Sequence, residues 1–160
     1  MKYVMFVLVA LTIIVADQLT KAIIAASIPF NSAIAIIPGY LDIVHVRNPG
    51  AAFGMLAQSD SWFRLAFFPL ISIIATTVIL WLLFKASSND WPLVLALSFF
   101  CGGLFGNFID RMRFGEVVDF IDVHVGSIHW PAFNVADSAL CVGTALFFLY
   151  FLRKNPPEHI

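Results

Sequence analysis

The chain has 160 residues, 61% hydrophobic and 12% charged, with a net charge of −1 and a mean hydropathy of +0.92. Soluble domains hold about 45–50% apolar and about 25% charged residues, so this composition is that of a membrane protein. The near-neutral charge provides no basic field for nucleic acid, and no nucleic-acid partner is expected.

Four stretches reach the roughly 20 apolar residues that a helix needs to cross the hydrocarbon core. They are 3–26, 62–84, 92–109 and 135–152. The first is interrupted by Asp17, Gln18 and Lys21. Lys2 ahead of an apolar run also fits a secretory signal peptide, but such a signal has a simple apolar core and a small-residue cleavage site. The length of the run, and Asp17 and Lys21 inside it, favour a retained span. Asp17 and Lys21 are spaced i,i+4, so they share a helix face and neutralise each other. The pair reads equally well as a structural bridge and as part of a site. Between the first two spans, "YLDIVHV" alternates as a short strand does, and "NPG" marks a turn.

The second span carries only Arg64 near its start, and a short Ser87–Asp90 turn leads into the third. At the end of the third, Asn107, Asp110 and Arg111 fall at i, i+3 and i+4, on one face. Gly102 and Gly106 form a GxxxG ahead of them, a pattern for close helix packing. Arg111 reads either as an interfacial anchor beside Asp110 or as a group that fixes a carboxylate or a substrate head group. Residues 113–133, with "EVVDFIDVHVGSIHW", are β-prone around a Gly-Ser turn. The expected fold is therefore a membrane all-α core of four transmembrane helices, with a small β-rich sheet lying against the bilayer surface. Residues 1–160 read as one multi-span domain. An even number of spans puts both termini on one side, but Lys2, Lys85, Arg153 and Lys154 oppose Arg47, Arg64, Arg111 and Arg113, so charge bias gives no orientation.

The fourth span opens with "FNVADS". Asn134 fits an N-cap, and Asp137 falls in the first turn, where an acid is favoured; on position alone Asp137 reads as part of the cap. Asp119, in "GEVVDFID", has no such excuse, being flanked by apolar residues. In a strand its side chain points away from those of Val118 and Phe120, and Asp122 points the other way from Asp119. The end of span three, the "VVDF" segment and the start of span four lie on one membrane face, so Asp119 and Asp137 can meet there. Two carboxylates held close cannot both ionise, and such a pair can activate water and protonate a carbonyl.

Serine hydrolysis would require GxSxG or a placed histidine, and Ser127 offers neither. Cys101 and Cys141 lie in apolar stretches without a CxxC, and His45, His124, His129 and His159 lack ligand spacing, so no metal or other cofactor is expected. A transporter or non-catalytic binding protein using the same acids for ions or protons is the rival class, although transporters tend to carry broken spans at the midplane.

Taken together, the blocks "DQLTK" (Asp17–Lys21), "NPGAAF" (Asn48–Phe53), "GGLFGNFIDR" (Gly102–Arg111), "GEVVDF" (Gly115–Phe120) and "FNVAD" (Phe133–Asp137) resemble, in order, the lipoprotein signal peptidases (signal peptidase II) of bacteria. The resemblance implies an aspartyl endopeptidase of the bacterial cytoplasmic (inner) membrane, with cytoplasmic termini and an extracytoplasmic β-rich cradle. Its substrate would be a diacylglyceryl-modified prolipoprotein within the membrane lipids, cut before the lipidated cysteine, and globomycin-type cyclic peptides would inhibit it. The family's catalytic pair falls on Asp119 and Asp137, which gives Asp137 a role beyond capping. Its other motif positions fall on Asp17, Lys21, Asn48, Gly50, Asn107, Asp110, Arg111, Asn134 and Ala136, as site-shaping or substrate-holding residues. Asp122 is given no role.

Overall fold

The computed structural model describes residues 1–50, 56 and 59–154. The Ala51–Phe53 part of the "NPGAAF" block, and much of the linker after it, lies outside the described residues. Among the described residues, four helices are long and apolar enough to cross a membrane: α1 (Lys2–Ser27), α2 (Ser61–Lys85), α3 (Trp91–Phe114) and α4 (Val135–Lys154). Four strands, β1 (Ala33–Ile37), β2 (Leu41–Asn48), β3 (Val117–Val125) and β4 (Ile128–His129), form one antiparallel sheet in the order β1-β2-β3-β4.

Helix α3 is the hub, packing against α1, α2 and α4. Of its most apolar stretch 56% is buried, against 11% for α2, so α3 is read by protein and α2 largely by lipid. Val4, Leu8, Leu11 and Val15 on α1, Leu70, Trp81 and Phe84 on α2, and Phe148 and Leu152 on α4 are exposed. Apolar surface on that scale is unsustainable in water. Together with the four helices, it makes the chain a multi-pass membrane protein.

Close packing on both sides of α3 depends on glycine. A Cβ at Gly102 would lie 2.7 Å from Ile13 Cβ of α1, and one at Gly103 would lie 2.5 Å from the Ala136 carbonyl oxygen of α4. Lipid offers no hydrophobic drive between helices, so such small-residue contacts are what hold a bundle together. At the opposite end of the bundle from the sheet, the Lys2 ammonium donates to the carbonyls of Leu83 (3.0 Å) and Ala86 (2.5 Å), a cation at the negative end of α2.

Helix α3 runs to Phe114, beyond the apolar stretch that ends at Ile109, and ends on a cap. Gly115, at φ 75°, adopts the left-handed cap conformation and donates its N–H to the Arg111 carbonyl at 2.9 Å. The chain then turns straight into β3. Strand β2 pairs with β3 from Leu41 opposite Val123 to Asn48 opposite Val117, with a bulge between Ile43 and Val46. At the α3 end of strand β3, Val117, Val118, Asp119 and Phe120 are all buried, so both of its faces are covered there.

Gly103→Ala should shift α4 away from α3 and lower stability by about 1–3 kcal/mol. Gly143→Ala, whose Cβ would meet its nearest neighbours at 3.2 Å, should cost less. Thermal unfolding of the two variants in detergent checks the order.

Candidate active site

Side chains of α1 and α3 meet at a buried ion cluster. The Lys21 ammonium lies 2.8 Å from Asp17 and 3.1 Å from Asp110, and donates to Asn107 Oδ1 at 3.0 Å. Asp17 is 0% exposed, Lys21 3% and Asp110 2%. One cation between two carboxylates leaves a negative excess that burial would penalise severely without further donors. The backbone supplies them. Ala136 N–H donates to Asp17 at 2.9 Å, and Val118 N–H to Asp110 at 3.1 Å. The cluster therefore fixes the first turn of α4 and the start of β3 on a frame made by α1 and α3. Gly106 makes room for it: a Cβ there would sit 2.7 Å from an Asp17 carboxylate oxygen.

Asp119 and Asp137 stand on the two elements so fixed. Asp119, on β3, is 2% exposed; it accepts from Asn134 Nδ2 at 2.7 Å and from Asn48 Nδ2 at 3.1 Å. Asp137, in the first turn of α4, accepts from Asn107 Nδ2 at 2.7 Å and from Asn134 N–H at 3.3 Å. Asn134 Oδ1 in turn accepts the Asp137 N–H at 2.9 Å, completing a reciprocal helix cap. Asn134 thus touches both carboxylates. Asn107 joins Asp137 to Lys21, and Asn134 also donates to its Oδ1 at 3.1 Å. Burial first, and the charge of Asp137 second, push the Asp119 carboxyl up to about 7, against the opposing pull of Asn48, Asn134 and Lys21. Near neutrality this carboxyl holds a proton about as often as not.

Both carboxylates line one cleft of about 630 Å³. Asn48, Asn107 and Arg111 complete its polar wall, and Trp130, Phe133 and Leu140 contribute apolar surface. The Arg111 guanidinium lies 4.2 Å from the centre of the Phe68 ring and donates to the Gly50 carbonyl at 3.1 Å. It braces the turn after β2, where Gly50 N–H also donates to Asn48 Oδ1 at 3.0 Å. Asp110 does not serve as the companion of Arg111; it turns the other way, to Lys21.

All eleven residues singled out in the sequence thus occupy one connected region. Asp17, Lys21 and Asp110 form its buried base, with Gly50 and Arg111 at the β2 turn and Ala136 contributing its backbone N–H. Asn48, Asn107 and Asn134 connect these to Asp119 and Asp137. Asp122 stands apart, 2.9 Å from His129 of β4. Two participants were missed. Gln18 Nε2 donates to Asp110 at 2.9 Å and to the Gly106 carbonyl at 3.1 Å, so it ties α1 to α3. An amide beside Asp17 in an apolar helix was the available signal. Phe68 under Arg111 left none, because it is one phenylalanine in an apolar run.

Fold and site together define a polytopic membrane protein with a buried polar site holding two carboxylates at one end of its helices. The family model for signal peptidase (SPase) II matches residues 9–153. The lipoprotein signal peptidase of Syntrophus aciditrophicus is 39% identical over 95% of this chain and 94% of its own, and that of Syntrophotalea carbinolica is 44% identical over 89% and 87%. A solved bacterial membrane enzyme superposes with a TM-score of 0.86 at 35% identity, covering 97% of this chain and 92% of that one. The chain belongs to the signal peptidase II family and is a peptidase.

Lys21→Met leaves Asp17 and Asp110 buried without their cation and should cost about 3–5 kcal/mol of stability. Denaturation of the variant in detergent measures it. A loss under 1 kcal/mol would show that water or the backbone alone satisfies the two acids.

Proposed function

We propose that this chain is an aspartyl endopeptidase that removes signal peptides from diacylglyceryl-modified prolipoproteins, cutting before the lipidated cysteine. The observation that carries this reading is the shared cleft of Asp119 and Asp137. One carboxyl there is poised near 7, at the end of helices able to hold a lipidated substrate in the bilayer. The pair shares one proton. Its ionised member takes a proton from water as the water oxygen bonds to the scissile carbonyl carbon, and its protonated member gives its proton to the carbonyl oxygen. The tetrahedral diol then collapses. The C–N bond breaks, and the proton first taken from water passes to the leaving amine of the cysteine. Asn48, Asn107 and Asn134 hold the carboxylates in place, and Arg111 holds the wall beside them. In this reading the enzyme sits in the bacterial cytoplasmic membrane with both termini cytoplasmic and the sheet outside, and a globomycin-type cyclic peptide would compete for the same cleft.

Asp119→Asn and Asp137→Asn should each lower turnover by about 10²–10⁴-fold or more while substrate still binds. Mass spectrometry of the new N-terminus, with lipidated and unlipidated prolipoprotein, makes the test. Full cutting by either variant would remove the pair from the mechanism.

The pH dependence follows from Asp119. Because its carboxyl is raised in the folded protein, its contribution to stability is complete below the unfolded value of 3.8 and is lost as pH rises through about 7. Activity should fall over the same alkaline range, as the pair loses its last proton. Asn48→Ala removes a donor to the ionised form, so the alkaline limb of the kcat/KM profile should move to higher pH. A limb that moves down would contradict this.

A further inference from the structure

Asp122 takes no part in the cleft, but it belongs to a second polar cluster on the sheet. Asp42 stands directly opposite Asp122 across the β2–β3 ladder, and His124 directly opposite His129 across β3–β4. Asp122 and His124 are two residues apart on β3, so all four side chains share one face. Like charges directly opposite each other destabilise a sheet. Here each acid is answered on the diagonal by a histidine. His124 Nε2 lies 3.4 Å from Asp42, and His129 Nδ1 lies 2.9 Å from Asp122. The two imidazoles stack, with ring centres 4.5 Å apart and 7° between their planes. Four side chains thus tie three strands together.

Hydrogen bonding assigns the charge. The Gly126 carbonyl can only accept, so His124 Nδ1, 3.0 Å from it, carries a hydrogen. In the neutral ring Nε2 would then turn a lone pair on the Asp42 carboxylate; only the imidazolium puts a hydrogen there. This nitrogen is buried and has no hydrogen-bond partner among the described residues. The charged and titratable groups facing His124 are Asp42 of β2, Asp122 of β3 and His129 of β4. The Gly126 carbonyl, and then Asp42 and Asp122, raise its pKa above the ordinary 6.5, against the opposing effect of burial. The hold is therefore complete below 6.5 and is lost as pH rises through the raised value.

What is held is a wall of the cleft. Strand β4 has only two residues, too few to secure a hairpin arm by backbone bonds alone. The chain leaving it runs back along β3: Trp130 N–H donates to the Val123 carbonyl at 2.8 Å, and Phe133 exchanges bonds with Ile121 at 3.0 and 2.8 Å. Trp130, Pro131, Ala132 and Phe133 all line the cleft that holds Asp119 and Asp137. We infer that the two histidines and two aspartates form a clamp on this wall: His124 and His129 are positioning residues that hold Trp130 in place for substrate, and the clamp loosens as His124 gives up its proton. That the substrate is a prolipoprotein rests on the function proposed above; the clamp itself does not.

The test uses the whole chain in detergent, labelled with fluorotryptophan. An Asp119→Asn background removes the carboxyl that titrates at about 7 in the same cleft. Trp130→Phe assigns the fluorine resonance of Trp130. From about pH 5 to about pH 9 that resonance should move in one step with its midpoint above 6.5, and His124→Gln should abolish the step. Asp42→Asn removes the carboxylate facing Nε2 and should shift the midpoint to lower pH, which decides the question even if His124→Gln fails to fold. A resonance that does not titrate, or a midpoint indifferent to Asp42→Asn, would overturn the clamp. With Asp119 restored, His129→Ala should raise KM for the lipidated prolipoprotein about tenfold and leave kcat within about twofold. A fall in kcat at unchanged KM would remove the histidines from substrate positioning. If wild type cuts no prolipoprotein, the proposed function fails, while the fluorine titration still decides the clamp.

Discussion

Lys21 is a lysine with 3% of its surface exposed, inside a helix that is otherwise suited to hydrocarbon. An uncompensated ammonium there would cost several kcal/mol, so its surroundings are obliged to answer it. They answer with two carboxylates from different helices and an amide oxygen from a third position. Each answer in turn creates a demand. Asp17 and Asp110 need donors for their remaining lone pairs, and the backbones of Ala136 and Val118 provide them. A charge on α1 thereby dictates where α4 begins and where β3 leaves α3. Asp119 and Asp137 sit one residue beyond those two anchored N–H groups.

That arrangement requires backbones to come unusually close, which explains why α3 carries glycine on the faces turned to α1 and α4. Gly102 and Gly106 face α1, and Gly103 faces the carbonyl of Ala136 itself. A side chain at Gly102 or Gly106 would push α1, which carries the cation, off α3, and one at Gly103 would push α4 off α3. Packing and electrostatics are one constraint here: the seam sets the distances at which the buried charges are satisfied, and the charges fix the rotation of each helix about the seam.

The four helices were legible because hydrocarbon imposes length and apolarity directly on the sequence. The Asp17–Lys21 pair and the Asn134 cap were legible too, since each is a local i,i+4 or i,i+3 relation. Strand β1 was not. Its five residues, "AIAII", are all exposed in the chain, so no buried face imprints a period of two on them. Around Asp119 both faces of β3 are covered, so burial there carries no period of two either. The meeting of Asp119 with Asp137 was suggested by chain geography, but the ties through Asn134 and Asn107 are long-range in sequence and depend on how α3, β3 and α4 converge. The same holds for Phe68 beneath Arg111. Side chains on elements far apart in sequence carry no mutual signal in a single sequence.

The site also keeps its cations off Asp119 and Asp137. Lys21 spends its close contacts on Asp17 and Asp110 and is joined to Asp137 through Asn107. Arg111 donates to the Gly50 carbonyl and lies over the Phe68 ring. The direct partners of Asp119 are the amides of Asn48 and Asn134, which orient a carboxyl without placing a full positive charge on it. A cation in either place would favour the ionised form of Asp119. Neutral amides next to the acids, with the cations one step removed, keep the cluster solvated by protein while Asp119 still titrates at about 7. Three asparagines thus hold two buried carboxyls in a chain this apolar without placing a full charge against them.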